Sequence, residues 1–238
     1  MTMLLISHVT SGGSYKEILN MLENDIETEY QDIYGMTALM YAVYTCKKEI
    51  VELILNYSFN NDIMDNEGCN AVSYCCMQGD YDILCLLLDK ANCNITICEN
   101  RISTSNPLTI SMINVCDLKF FKKLSSSSKL IHLDFNEKYE DDNTLIMYCI
   151  HYNYSIEMLQ YLIELGCELN VYNDFGLSPL FILLKKYIYE GNVEYKKGIE
   201  LLISYGAEYD KINEICRWSI KKYAKTNLSI EEVEELFF

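Results

Sequence analysis

Asp32-x-x-Gly35-x-Thr37-Ala38-Leu39-x-x-Ala42 returns 33 residues later as Asp65-x-x-Gly68-x-Asn70-Ala71-Val72-x-x-Cys75. A chain that repeats itself at so short a period is confined to architectures in which each copy leans on the next, because one copy cannot bury its own apolar face. The expectation is a single stack along residues 1–238 rather than separate globular domains. Half the residues are hydrophobic, enough to fill a continuous core between copies, and only 2 prolines and 10 glycines are present to make linkers.

Within the first copy the spacing predicts a turn at Asp32–Gly35, a first helix from about Thr37 to Tyr44 and a second helix over Glu49–Leu55. Ile50, Val51, Leu53 and Ile54 fall at the i, i+3, i+4 spacing of a buried helix face. Gly35 suits a turn that a side chain would hinder, and Thr37 can accept from the free N–H groups of the helix it opens. The second copy predicts a first helix around Tyr74–Met77 and a second over Tyr81–Leu88.

Turn, helix, turn and helix in 33 residues resembles the ankyrin repeat, with Thr37-Ala-Leu-Met40 and Asn70-Ala-Val-Ser73 standing where that family carries Thr-Pro-Leu-His. The resemblance makes weaker copies legible. First helices are expected to open at Asn106-Pro107, Thr144-Leu145 and Ser178-Pro179, and second helices to run over Glu157–Ile163 and Ile199–Ile203. Gly166-Cys-Glu-Leu-Asn170 and Gly206-Ala-Glu-Tyr-Asp210 are similar to the family's linking turns. Tyr15–Leu22 reads as a second helix in an N-terminal cap (1–31), and Trp218–Ala224 and Ile230–Leu236 read as two helices of a C-terminal cap (211–238). The implied fold is an all-α solenoid of helix-turn-helix units with β-turn tips, about five to six repeats including degenerate caps, with units at 32–64, 65–97, 98–139, 140–172 and 173–210.

The family's histidine is absent from every copy: Met40, Ser73, Thr109, Met147 and Phe181 stand there, so packing must replace the hydrogen bonding it supplies. Insertions fall before Pro107, at Ser125–Ser128 running into the acidic Asp134–Asp142 stretch, and between Lys186 and Gly198. The unit at 98–139 is expected to be the least regular.

Acidic residues outnumber basic ones by 35 to 19, a net charge of −16. A field of that sign repels phosphate backbones and anionic lipid, so neither nucleic acid nor membrane is an expected partner, and a basic patch on another protein is. The acid also serves as solvated surface. The 11 cysteines are odd in number, and the N-terminal segment has neither a basic region nor a long apolar run, which predicts a reducing, cytoplasmic setting. Cys75, Cys76, Cys85, Cys93 and Cys98 crowd one copy without the paired C-x-x-C spacing of a zinc site. They read either as small hydrophobes or as a redox or metal sensor.

The three histidines lie far apart, and no nucleophile elbow, phosphate loop or H-E-x-x-H helix occurs. The expectation is a non-enzyme without cofactor or metal, monomeric, binding another protein. The resemblance implies contact through turn tips and the exposed edge of the first helices. Carried onto this sequence, that surface is Ile33, Tyr34, Met36, Tyr44 and Thr45, then Asn66, Glu67, Cys69, Met77 and Gln78, then His151 and Tyr152, and finally Asp174, Phe175, Leu177, Lys185 and Lys186. Large apolar side chains at exposed tips are what an interface core favours. An alternative gives the same surface the role of inhibiting or positioning a partner enzyme. Asn170, with Leu162 eight residues before it, is similar to ankyrin turns that asparaginyl hydroxylases accept, and it also suits a turn asparagine that satisfies backbone groups. Relatives in large DNA viruses, intracellular bacteria and protists make a host or signalling protein the implied class of partner.

Overall fold

The computed structural model describes residues 3–24, 26–91, 93–94, 111, 114, 117–127, 134–152, 155–211 and 219–237. Among these there are 13 α-helices and no strand. The chain divides into two compact units, Met1–His132 and Leu133–Phe238.

In the first unit, α1 (Met3–Ser11), α3 (Ala38–Tyr44) and α5 (Ala71–Gln78) form one layer. The other layer holds α2 (Tyr15–Glu23), α4 (Lys48–Leu55), α6 (Tyr81–Cys85, continued by a π turn at Leu86–Lys90) and α7 (Leu118–Ser125). Each helix packs on its neighbour within the layer and on its partner across it: α1 on α3 and α3 on α5, α2 on α4, α4 on α6 and α6 on α7. The second unit is built alike. Its inner layer is α8 (Leu145–Tyr152), α10 (Pro179–Glu190) and α12 (Ile220–Asn227), and its outer layer is α9 (Ile156–Glu164), α11 (Val193–Ser204) and α13 (Ile230–Phe237). This neighbour-to-neighbour packing is that of a solenoid.

Most residues of the inner helices α3, α5 and α8 and of the first half of α10 are buried, whereas α1 and α12, like the outer helices, bury one side. Ala71 to Cys76 of α5, Leu145 to Ile150 of α8 and Pro179 to Leu184 of α10 are all buried, with the small Ala42, Cys75 and Cys149 fully enclosed where neighbouring helices approach closest. Outer helices bury one stripe: Ile50, Val51, Leu53 and Ile54 on α4, and Met158, Leu159 and Leu162 on α9. Each such side chain contributes about 1.5–3 kcal/mol.

Helix starts follow the capping residues. Thr37 accepts from Met40 N at 3.3 Å, Asn70 from Ser73 N at 3.1 Å, Asp117 from Phe120 N at 2.7 Å and Ser178 from Phe181 N at 3.3 Å. Met40 also shows what replaces the missing histidine, since its sulfur accepts the Thr37 N–H at 3.4 Å. Phe181 instead meets Tyr223 of α12 edge to face, with ring centres 5.0 Å apart.

Successive repeats are tied together at the base of each unit. A side-chain oxygen of one repeat accepts a backbone N–H of the next: Asp62 from Asn94 at 2.6 Å, Asn136 from Glu168 at 2.7 Å and Asn170 from Glu208 at 2.8 Å. On the outer helices Lys48–Asp82, Lys90–Glu52, Lys123–Asp89 and Lys196–Glu235 bridge neighbours. Exposed pairs of this kind stabilise weakly.

Two elements go beyond the sequence reading. The N-terminal segment holds a complete helix pair, because Leu5, Ile6 and Val9 of α1 pack on α3 although no turn motif precedes them. The insertion between Lys186 and Gly198 lengthens α10 and α11 to 12 residues each, with Asn192 capping the second. Asn106-Pro107, Ser128 and Trp218 lie outside the described residues, as does most of 98–116.

Candidate functional site

The turn tips are the most constrained part of the inner face. Asp32 Oδ1 accepts from the N–H of Tyr34 at 2.9 Å and of Met36 at 3.0 Å, and Gly35 N donates to the Asp32 carbonyl at 2.9 Å. Asp65 repeats this with Glu67 and Cys69 at 2.9 and 2.8 Å. The two turns are joined, since Asn66 N donates to the Tyr34 carbonyl at 3.1 Å and its side-chain amide donates to the Ile33 carbonyl at 3.0 Å. Gly35 has φ +77°, and a Cβ there would lie 2.6 Å from Asn66 N, so glycine is required twice over.

A tyrosine nine residues into each of these copies completes the tip. Tyr41 donates to Asp32 Oδ2 at 2.7 Å and Tyr74 to Asp65 Oδ2 at 2.5 Å. Burial, then the Asp32 bond, pushes the Tyr41 phenol up to about 12. With the carboxylates occupied, the surrounding face is apolar. Leu4, Ile6, Ile33, Tyr34 and Tyr41 border a hollow of about 480 Å³, and Tyr34, Met36, Tyr41, Tyr44 and Tyr74 border another of about 330 Å³. Ile33 is 78% exposed and Tyr34 63%.

The second unit builds its tips differently. Tyr139 occupies the place of Asp32, and Asp142, at φ +58°, occupies that of Gly35. Tyr148, the counterpart of Tyr41, meets Tyr139 edge to face at 6.0 Å and stacks on Tyr152 at 5.9 Å. Asp174 N donates to the Asp141 carbonyl at 2.9 Å, joining this turn to the next, where Asn173 Oδ1 accepts from Phe175 and Leu177. Glu140, Asp141 and Asp174 are exposed beside Tyr152 and Phe175. Toward the far end of α10 a hollow of about 210 Å³ lies among His151, Leu177, Ile182, Lys185, Lys186 and Tyr189. Lys186 Nζ donates to the His151 carbonyl at 2.9 Å. Partial burial, with Lys186 and Lys185 near, holds the His151 imidazole below its usual range.

A family model for ankyrin repeats in three copies matches residues 5–97. Residues 5–97 carry ankyrin repeats. Among solved ankyrin domains, that of Bcl-3, a member of the IκB family, superposes with a TM-score of 0.69 at 17% identity over 97% of this chain and 96% of its own. The human ASB11 ankyrin domain gives 0.70 at 15%, over 98% and 96%. A chain of the complex between a predatory endopeptidase of Bdellovibrio bacteriovorus and an immunity protein gives 0.65 at 22%, over 84% and 96%. In sequence, an ankyrin repeat protein of fowlpox virus is 23% identical over 138 residues, 58% of this chain and 22% of the viral protein. One from Acanthamoeba polyphaga mimivirus is 27% identical over 147 residues, 60% of this chain and 18% of the viral protein. The chain therefore spans about a fifth of the length of these relatives. Ankyrin repeats are in general protein–protein interaction modules.

Placed on the ankyrin tips, Ile33, Tyr34, Tyr44, Thr45, Asn66, Glu67 and Gln78 are exposed in the first unit, with Met36 and Met77 half-buried. His151, Tyr152, Asp174 and Phe175 are exposed in the second, with Leu177, Lys185 and Lys186 half-buried. Cys69 is a correction: it is fully buried, because the Asp65 bonds draw its backbone under the turn. Leu4, Tyr41, Tyr74 and Tyr148 were missed, though a tyrosine just before Ala42, Cys75 and Cys149 was readable at a motif position left as unspecified.

Cys69, Cys75, Cys76, Cys93, Cys149 and Cys167 are buried, and Cys98 lies outside the described residues. Burial raises the Cys75 thiol well above its usual range and pushes Cys167 up to about 12, which disfavours the thiolate that a metal or a disulfide exchange needs. Among the described residues, no three His, Cys, Asp or Glu side chains converge on a metal-sized site, and no helix is long and apolar enough to cross a membrane. Asn170 uses both ends of its amide, accepting from Glu208 N at 2.8 Å and donating to the Gly206 carbonyl at 3.1 Å.

Proposed function

We propose that the chain is a monomeric protein–protein interaction module without chemistry of its own, which holds a partner through its turn tips and the exposed edges of its inner helices. The observation that carries this reading is that each unit displays large apolar side chains on hydrogen-bonded turns: Ile33 and Tyr34 in the first unit, Phe175 at 59% exposure in the second. Rigid aromatic groups of this kind lose little entropy on binding and anchor interfaces. The net charge of −16 supports a basic patch on the partner, and the odd number of cysteines supports a reducing interior as the setting. In the narrower form of this reading the partner is an enzyme that the surface inhibits or positions. Asn170 remains a candidate for hydroxylation, and the reading adds that modification would act on a bond between repeats.

Affinity purification from the native cell with mass spectrometry identifies the partner. Tyr34→Ala combined with Phe175→Ala is expected to abolish its capture while leaving the thermal melt within a degree or so, both side chains being largely exposed. Retained capture by that variant discards the proposed surface, and an activity assay on the co-purified partner tests the regulatory form.

A further inference from the structure

Two repeats in each unit share one kind of bond at their base, and one of the four breaks the rule. In each, a backbone N–H donates to a side-chain oxygen of the repeat before: Asn60 to Glu29 at 2.8 Å, Asn94 to Asp62, Glu168 to Asn136 and Glu208 to Asn170. The residue just before that donor is small and buried in three cases, with Cys93 1%, Cys167 5% and Ala207 4% exposed. In the fourth it is Phe59, and it is 98% exposed. Cys167 N and Ala207 N donate back to their outer helices, whereas in the first repeat Ser58 takes the carbonyl of Ile54 one residue early. A phenyl ring does not fit the slot that a thiol or methyl fills, so the ring stands outside.

Beside Phe59 is a hollow of about 440 Å³ whose apolar wall is Leu22, Ile26 and Tyr57 and whose rim carries Glu27 and Glu29, with no basic group among the described residues that line it. Glu29 gives one oxygen to Asn60 N, and Glu27 is exposed. We propose that this hollow, with Phe59 as its lip, is a docking surface separate from the turn tips. Its occupant is a short extended segment of another protein that carries a lysine or arginine next to an aliphatic side chain. The aliphatic group covers Leu22, Ile26 and Tyr57, while the cation lies between the Glu27 and Glu29 carboxylates and the face of Phe59. A second copy of this chain is the poorer occupant, since it would bring its own carboxylates and a charge of −16 against the same rim.

Random dodecapeptides displayed on phage, selected against the full chain carrying Tyr34→Ala and Phe175→Ala so that the turn-tip face is blunted, test this without reference to that face. Enriched peptides are expected to carry lysine or arginine beside leucine, isoleucine or valine. By fluorescence anisotropy, the same peptides made synthetically should bind at least tenfold more weakly after Phe59→Ala or Glu27→Lys, with an unchanged melt. Absence of enrichment, enrichment of peptides without a cation, or binding indifferent to Phe59→Ala overturns the proposal. So does a concentration-dependent dimer in sedimentation that Phe59→Ala abolishes, because the occupant is then a second copy.

Discussion

In the first unit the inner tyrosines give their hydroxyls to the turns, Tyr41 to Asp32 and Tyr74 to Asp65, so these acids and phenols are consumed together, and Ile33, Tyr34 and Tyr44 stand in water with Glu67 as the exposed tip carboxylate. The second unit puts Tyr139 where the carboxylate would be, and Tyr148 answers with a ring contact instead of a hydrogen bond. Its acidic side chains, Glu140, Asp141 and Asp174, are then left facing water, with Lys185 and Lys186 further along α10. The Tyr139 turn thus presents Glu140 and Asp141 where the Asp32 turn presents Ile33 and Tyr34, and its backbone differs as well, with Asp141 and Asp142 both at positive φ. A partner held by the first face is expected to tolerate salt, and one held by the second to be steered by charge and weakened by it.

The sharpest test of this contrast is at the turn glycine. Gly35→Ala forces a side chain to φ +77° and against Asn66 N, and is expected to cost about 3 kcal/mol, whereas Asp142→Ala, at a position already occupied by a side chain at φ +58°, should cost about 1 kcal/mol. Urea unfolding midpoints measure both, and equal losses would mean that the two turns are not under the different constraints described. Next in size is the tyrosine pair. Tyr74→Phe strands an oxygen of buried Asp65 and should cost about 1–2 kcal/mol, while Tyr148→Phe should stay within about 0.5 kcal/mol. A Tyr148 loss as large as that of Tyr74 would show that the ring contact depends on the hydroxyl after all.

The smallest effect is in titration. Tyr41 and Tyr148 are both pushed up to about 12 from 10.0, the first by burial and its Asp32 bond, the second by burial and the nearby Glu140. A raised phenol favours the neutral folded form. Its contribution is fully present below the unfolded value of 10.0 and is lost as the pH climbs through about 12. Asp32→Asn should lower the Tyr41 midpoint and leave Tyr148 where it is, as followed by tyrosinate absorbance. Movement of both would remove the distinction.

Much of this was readable beforehand where the controlling physics is local. Thr37 announced the start of α3 and the spacing of Ile50 to Ile54 announced the buried stripe of α4, because a cap and a 3.6-residue period act within one turn of helix. The signals failed where an outcome hangs on a neighbour. Helix α1 has no motif and is recognised by what it packs against. Cys69 looked exposed from its place after Gly68, yet the Asp65 carboxylate folds it under. The added residues after Lys186 continue a helix, from which Tyr187 reaches Glu232 of α13.

The amino-acid order therefore settled the period, the turn positions, the caps and the apolar faces, all of which follow from backbone geometry and side-chain type over a few residues. Which polar atoms are spent and which are shown came from folding alone: Asp32 bound while Asp141 is free to face water, Cys167 enclosed while Phe59 stands out. Those results depend on the space and the hydrogen-bonding groups that another repeat, some 33 residues away, brings to the same spot.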